Sequence, residues 1–417
     1  MKAVMLNTRN IILCLGILFL LSSVVGAEPI ESPTEGLVSW ESKPLLVDQG
    51  SGLQLLLGAS EGMSFIYAAS KEEKGQDLYY GHSHTMGDTF SKSYPVNEVK
   101  GEVSFHGENG PIFKQGAGIG KFAVWQGGKN LKFARSMNFG RSFLPAIKVN
   151  DEDDNFYHSF QTMDVAPDGT IYVAWLDGRG RETNVPGSSS LYLARSLDQG
   201  ATFGKNIKIA GDACPCCRPA LAFNDSGKVF ISWRHVYKDN NRIVVVSTSD
   251  DKGETWSGKT LVTKTGWKVN GCPHSGASMK YHNGKLFIAW YSAAGSQAAL
   301  RAGISDDEGK SFNYLGEVQG KILDANHPNI QMINGEAWTI FQGRDPDSDD
   351  GWGVTRPWLM KISGDGSFSQ PSILPFLGGS VAYPYLFAGN GERIYAAWTE
   401  LSENGPKAVL CRGRIRQ

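Results

Sequence analysis

The sequence predicts an all-β protein of β-propeller class, and three observations carry that reading. A short turn motif recurs at near-constant spacing along the 417 residues. An apolar strand ending in an aromatic residue recurs in step with it. Fifty glycines and eleven tryptophans supply the turns and the large side chains that such a repeat needs.

The turn motif is clearest in "STSDDKGETW" (247–256), "RSLDQGATF" (195–203), "ISDDEGKSF" (304–312) and "RSMNFGRSF" (135–143), with a looser copy in "HSHTMGDTF" (82–90) and a shortened one in "ISGDGSF" (362–368). The serines that open the copies are Ser83, Ser136, Ser196, Ser249, Ser305 and Ser363, at intervals of 53, 60, 53, 56 and 58 residues. A fixed period of this length marks a repeated supersecondary unit. The aromatic strands are "MSFIYAA", "KFAVWQ", "TIYVAWLD", "KVFISWRH", "KLFIAWYS", "EAWTIFQG" and "RIYAAWTE", which makes seven. Alternate residues such as Ile171, Val173 and Trp175 point to one face, the pattern of a half-buried sheet. Each unit therefore reads as four strands, and four strands repeated radially make a propeller blade. Seven blades are expected; six blades plus an accessory hairpin is the alternative.

The ends fit the same scheme. The last unit, from about Ala382, shows only three strands, and "GLVSWESKPLLV" near the start has no unit of its own. Placing that segment as the outer strand of the last blade closes the propeller and removes a free edge. Residues 1–27 read as a signal peptide. Lys2 and Arg9 precede the apolar run "IILCLGILFLLSSVVG", and Val25-Gly26-Ala27 offers small residues for cleavage. The expectation is an exported protein, periplasmic or secreted, with residues 28–417 as one propeller domain and no membrane span after signal removal.

The recurring turn resembles the Asp-box, or BNR, repeat of the sialidase superfamily, and the resemblance covers nearly all of the chain beyond residue 27. In such a turn Asp251 or Asp198 accepts backbone N–H groups, Gly253 or Gly200 takes a backbone shape that other residues resist, and Trp256 or Phe203 fills the space between strands. The resemblance implies an arginine triad that clamps a substrate carboxylate, a tyrosine nucleophile activated by a glutamate, and an aspartate acid. A guanidinium matches a carboxylate bidentately, which is why arginine serves there. Catalytic candidates on that basis are Arg218, Arg234, Arg344, Asp177, Tyr383 and Glu400, with Arg179, Arg181 and Asp345 nearby. The chain departs from the family in lacking its Arg-Ile-Pro signature; "GPIF" at 110–113 is the nearest string.

The segments that enter the blades carry a second set of residues. "SFHGENGPIF", "FYHSFQTMDV", "CPCCRPALAF", "GCPHSGASMK", "ANHPNIQMI" and "VAYPYLFAG" enter blades two to seven. His106, His158, His274 and His327 fall at nearly one place in four of them, and the first strand of a blade is innermost. Cys214, Cys216 and Cys217 enter blade four, and Cys272 with His274 enters blade five. Thiolate and imidazole are the ligands of zinc and copper, so these eight residues form a candidate metal site for copper or zinc at the mouth of the channel. Disulfides are the competing fate of cysteine in an exported protein. The loop 343–358, with Asp345, Asp347, Asp349 and Asp350, reads as a solvated acidic lid.

Composition narrows the partners. The formal net charge is −1, so no basic field invites nucleic acid. Two function classes remain: a metal-binding or redox propeller, and a sialidase-like hydrolase or glycan-binding protein with an arginine-rich rim. The expected partner is a metal ion or a small glycan ligand.

Overall fold

The computed structural model describes residues 36–416 apart from 59–61, 72–74, 117, 153–154, 180–184, 296, 319–321 and 349–352. Residues 1–27, read as a signal peptide, and Arg181, Asp349 and Asp350 lie outside the described residues. Among those described the chain is all β, and no helix is long and apolar enough to cross a membrane.

Among the described residues the antiparallel strands form six sheets, three of four strands, two of five and one of nine, and the repeat units of the sequence follow one another along them in chain order. The third unit runs through His158–Val165, Ile171–Asp177, Ser189–Ser196 and Ile207–Ala213 in simple meander order. The fourth follows with Ala220–Phe223, Val229–Val236, Asn241–Ser249 and Thr260–Leu261, joined to the third by the single pair Ala213–His235. In the seventh unit Ser380–Ala388, Arg393–Ser402 and Gly405–Ile415 are joined by two strands from the other end of the chain. Val38 pairs with Ile415, and Leu45 pairs with Leu410.

The core lies between units rather than inside them. Along Ile171–Asp177 every residue is buried. Ile171, Val173 and Trp175 pack with Ile112, Val124 and Phe133 of the second unit, while Tyr172, Ala174 and Leu176 pack with Leu221, Ile231 and Trp233 of the fourth. Alternate residues do share a face, as the pattern predicts, but both faces are covered, so the strand is not half-buried. Strands buried on both faces read as near-continuous apolar runs. The same arrangement recurs around the molecule. Ile66 meets Trp125, Phe230 meets Ile288, Ala302 meets Phe341, Trp338 meets Trp398, and Leu410 of the last unit meets Leu53 and Tyr67 of the first. Trp125, Trp175, Trp290, Trp338 and Trp398 are all fully buried in these layers.

The recurring turn fastens each unit to its neighbour. The Ser196 hydroxyl donates to Asp198 Oδ1 at 2.7 Å and accepts from Gly200 N–H at 2.8 Å. Asp198 in turn accepts the N–H of Thr202 at 3.0 Å. Ser249, Asp251, Gly253 and Thr255 repeat the pattern, as do Ser305, Asp307, Gly309 and Ser311. Gly200 has φ +78°, and a Cβ there would stand 2.4 Å from the ring of Phe133 in the preceding unit. Arg135 of that unit donates to the carbonyl of Gln199 at 3.1 Å, and Arg412 of the seventh unit donates to Met86 of the first at 3.2 Å.

Two substitutions probe the turn. Gly200→Ala combines a left-handed backbone with a clash and should cost roughly 1–3 kcal/mol, read as a lower denaturant midpoint at unchanged slope. The Asp251 carboxyl is held down to about 2 by the hydroxyl and N–H of Thr255 and the hydroxyl of Ser249. Its folded value lies below the ordinary 3.8, so the stability it adds is present above pH 3.8 and is lost as pH falls toward 2. Asp251→Asn should flatten that part of the melting-temperature profile and leave the neutral region's slope unchanged.

Candidate functional site

Cross-strand pairing fixes which residues share a level in the channel. Gln54, Ile112, Thr162, Ala220, Ser278, Asn329 and Tyr385 each pair with the residue just before the main aromatic of the second strand. All seven line one cavity of about 280 Å³ enclosed by the inner strands. Two residues further along, the same cavity is lined by Lys114, Asp164 and Lys280, where Asp164 takes Lys114 at 3.2 Å and Lys280 at 3.7 Å. Two residues earlier stand Gly52, Phe160, Arg218, Gly276, His327 and Tyr383 at the mouth.

The mouth is strained. The inner strands bulge between Ser51 and Gln54, Ser159 and Thr162, Asn326 and Asn329, and Ala382 and Tyr385. The bulged residues are left-handed: Gly52 at φ +67°, Phe160 at +53°, His327 at +52° and Tyr383 at +53°. Pro328 and Pro384 follow two of them, and proline, which has no N–H for a ladder, is tolerated at bulges. Each such non-glycine residue costs of order 1–3 kcal/mol, a strain that gathers where side chains are re-aimed for a purpose.

Glu108 ties the mouth together. Buried, it accepts Gly276 N–H at 2.7 Å and Arg218 N–H at 3.1 Å, and lies 3.0 Å from His327 Nδ1. Arg218 donates to the Tyr385 hydroxyl at 2.8 Å, and the Tyr383 ring stacks edge-on to His327 at 4.7 Å. Burial, followed by the Glu108 charge, pushes the Tyr383 phenol up, the opposite of what an activated nucleophile needs. Sequence reasoning misses Glu108 because it sits in an irregular loop outside both repeats.

The other rim candidates are engaged elsewhere. Arg234 is buried and donates to the carbonyls of Ser275 and Tyr291 at 2.9 and 2.7 Å. Arg344 pairs with Asp324 at 3.2 Å. Asp177 accepts the Trp175 indole at 2.7 Å and grips Arg179. Glu400 repeats this with the Trp398 indole at 3.0 Å and the N–H groups of Leu377 and Gly379. The guanidiniums of Arg218, Arg234 and Arg344 therefore bond to three separate sets of partners, and Asp177 and Glu400 brace their own strands and loops. Asp345 lies 3.7 Å from Arg356.

The metal candidates divide. Cys214, Cys216 and Cys217 are buried and converge, with the Cys214 sulfur 3.7 Å from that of Cys216 and 3.5 Å from that of Cys217. Cys216 also belongs to a second group with Cys272 and His274, both exposed, whose ligand atoms all lie within 4.8 Å. All five described cysteines are thiols. Arg242 Nη1 stands 3.0 Å from the Cys214 sulfur. Hydrogen bonds from Cys216 and Cys217, reinforced by Arg234 and Arg242, hold the Cys214 thiol far below its ordinary range.

His106, His158 and His327 do not join this cluster. His158 is buried against the Lys129 carbonyl at 2.8 Å, with the carboxylates of Glu152 and Asp177 at 3.2 and 3.4 Å. His106 packs edge-on to Phe160, and His327 is held by Glu108. The expected four-histidine register fails for a geometric reason. His158 and His274 stand four residues before Thr162 and Ser278, His106 six before Ile112, and His327 only two before Asn329. Bulges and irregular leading segments slide the side chains along the strand, and linear position does not register that shift.

No family model and no curated protein matches the chain. Solved structures share its fold at low identity. An ulvan lyase of polysaccharide lyase family PL25, bound to -[GlcA(1-4)Rha3S]-, aligns at 13% identity and TM-score 0.60 over 88% of this chain and 95% of its own. A second structure of a PL25 ulvan lyase gives 13% and 0.59 over the same shares. The NanB sialidase of Streptococcus pneumoniae aligns at 10% and 0.48 over 86% and 85%. The likeness to the ulvan lyase is one of fold.

Glu108→Gln keeps the shape at the mouth but removes the charge that several donors share. It should cost about 1.5–3 kcal/mol, measured as a lower melting temperature, with strand content retained by circular dichroism.

Proposed function

We propose that this chain is an exported, closed seven-bladed propeller of the sialidase type that binds a thiophilic metal ion, copper or zinc, beside the mouth of its channel. The leader read over residues 1–27 supports export to the periplasm or beyond. The pairing of both chain ends in one unit, and the cores shared between successive units around to the first, support closure. The Asp-box reading rests on the repeated serine and aspartate bonding of the turns.

The observation that carries the metal reading is the sulfur geometry. A tetrahedral zinc with bonds of about 2.3 Å sets its sulfurs about 3.8 Å apart, whereas a disulfide holds them at about 2.05 Å. Separations of 3.5 and 3.7 Å match the first. Thiolates also favour copper(I). Three thiolates on a monovalent or divalent ion leave net negative charge, and the buried guanidiniums of Arg242 and Arg234 offset it. His106, His158 and His327 are not ligands in this reading. Titration of the reduced protein with zinc or copper(I) should give one tight equivalent, lost in Cys214→Ser/Cys217→Ser and kept in His327→Ala. No binding by the intact protein would remove the proposal.

A second reading is favoured by Arg218, His327 and Tyr383 at one level of the mouth. There the arginine, with Lys114 and Lys280 deeper in the cavity, suits a small acidic glycan. An acidic oligosaccharide or a fluorogenic sialoside should then bind or turn over, and Arg218→Ala should remove the response without altering metal content.

A further inference from the structure

Two ligand groups share one sulfur, and they differ in exposure. Cys214 and Cys217 are buried, Cys272 and His274 are exposed, and Cys216 belongs to both groups. A site meant only to hold an ion would be served by the buried thiols. The outer pair is nonetheless built. His274 is held left-handed at φ +50°, and its Nδ1–H donates to the Cys272 carbonyl at 2.8 Å, which leaves Nε2 for a ligand. Hydrogen bonding through the other ring nitrogen is how proteins aim a metal-binding imidazole. Cys272 also lines a cavity of about 280 Å³ with Pro215 and Arg242, the neighbours of the buried thiols, so the outer group opens on solvent where the inner one does not.

We propose that Cys272 and His274 form a docking pair that captures the metal ion and passes it, through Cys216 as the shared ligand, to Cys214 and Cys217. The inference rests on the metal reading above. The steps are ligand exchanges. The metal–nitrogen and metal–sulfur bonds to His274 and Cys272 break as bonds to Cys214 and Cys217 form. Each thiol that becomes a ligand releases its proton to water, each displaced thiolate can take one back, and no electron moves.

The test is stopped-flow transfer of Zn2+ from a coloured chelator to the reduced protein, and back to excess chelator, compared with equilibrium affinity. Cys272→Ser/His274→Asn is the variant, since asparagine tolerates the left-handed backbone at 274. Uptake and release should slow by the same factor, about tenfold or more, with stoichiometry and affinity unchanged. Cys217→Ser should do the reverse, keeping fast capture and losing tight retention. Weakened affinity with an unchanged uptake rate in the outer variant would make Cys272 and His274 final ligands and overturn the capture role. Unchanged rates in both directions would overturn it as well. Failure of the intact protein to take any zinc would sink the metal reading itself, a result separate from either.

Discussion

The arrangement rests on one constraint: among the described residues every apolar core is shared between two successive or chain-end units. Each sheet offers an apolar surface on both sides, and only the next unit in sequence can cover it. Trp175 and Tyr172 are neighbours in the chain but belong to different cores. With full burial of such side chains worth about 1.5–3 kcal/mol each, a unit missing a neighbour would leave a whole layer in water. The last sheet meets the same need where Leu410 packs with Leu53, and the tight turns serve it as well. At Gly140 and Gly200 the ring of Tyr80 or Phe133 in the preceding unit leaves no room for a Cβ.

Convergence of the inner strands then concentrates chemistry. Strands that fan outward crowd at the centre, and crowding there is met with glycine, proline and bulges. At Gly276 a Cβ would stand 2.3 Å from the Arg218 carbonyl oxygen. Glu108 gathers the N–H groups of two units and the imidazole of a third, so that one carboxylate orients residues far apart in the chain. The cysteine cluster brings together the leading segments of units four and five, with Cys217 next in the chain to Arg218, which Glu108 holds.

Much of this was legible in the sequence, and the rest was hidden for physical reasons. The aromatic strands and serine-opened turns are local patterns, so the all-β class and the four-strand repeat follow from spacing alone. The segment holding Val38 and Leu45 was recognisable as a spare strand, and it pairs with Gly405–Ile415. The Cys214, Cys216, Cys217, Cys272 and His274 grouping was readable because these residues lead into consecutive units. His106, His158 and His327 were grouped with them by linear position, which bulges do not respect. Asp177 and Glu400 stand among the catalytic candidates because nothing local in the sequence reveals that each faces the indole two residues before it. Glu108 carried no signal at all, since its partners come from loops and strands more than a hundred residues away.

The pairing of Val38–Trp40 with the last strand has a consequence for how the molecule is made. Val38–Trp40 finds its partner only after Gly405–Ile415 has been synthesised, so it must wait through the production of every intervening unit. Contacts so distant in sequence form late and slowly. The last sheet thus acts as a latch set by segments far apart in the chain, and a polypeptide truncated before Ser380 would leave uncovered the layers around Trp338 and Tyr67 that this sheet packs against, a state recognisable to proteases and chaperones by its exposed aromatic side chains.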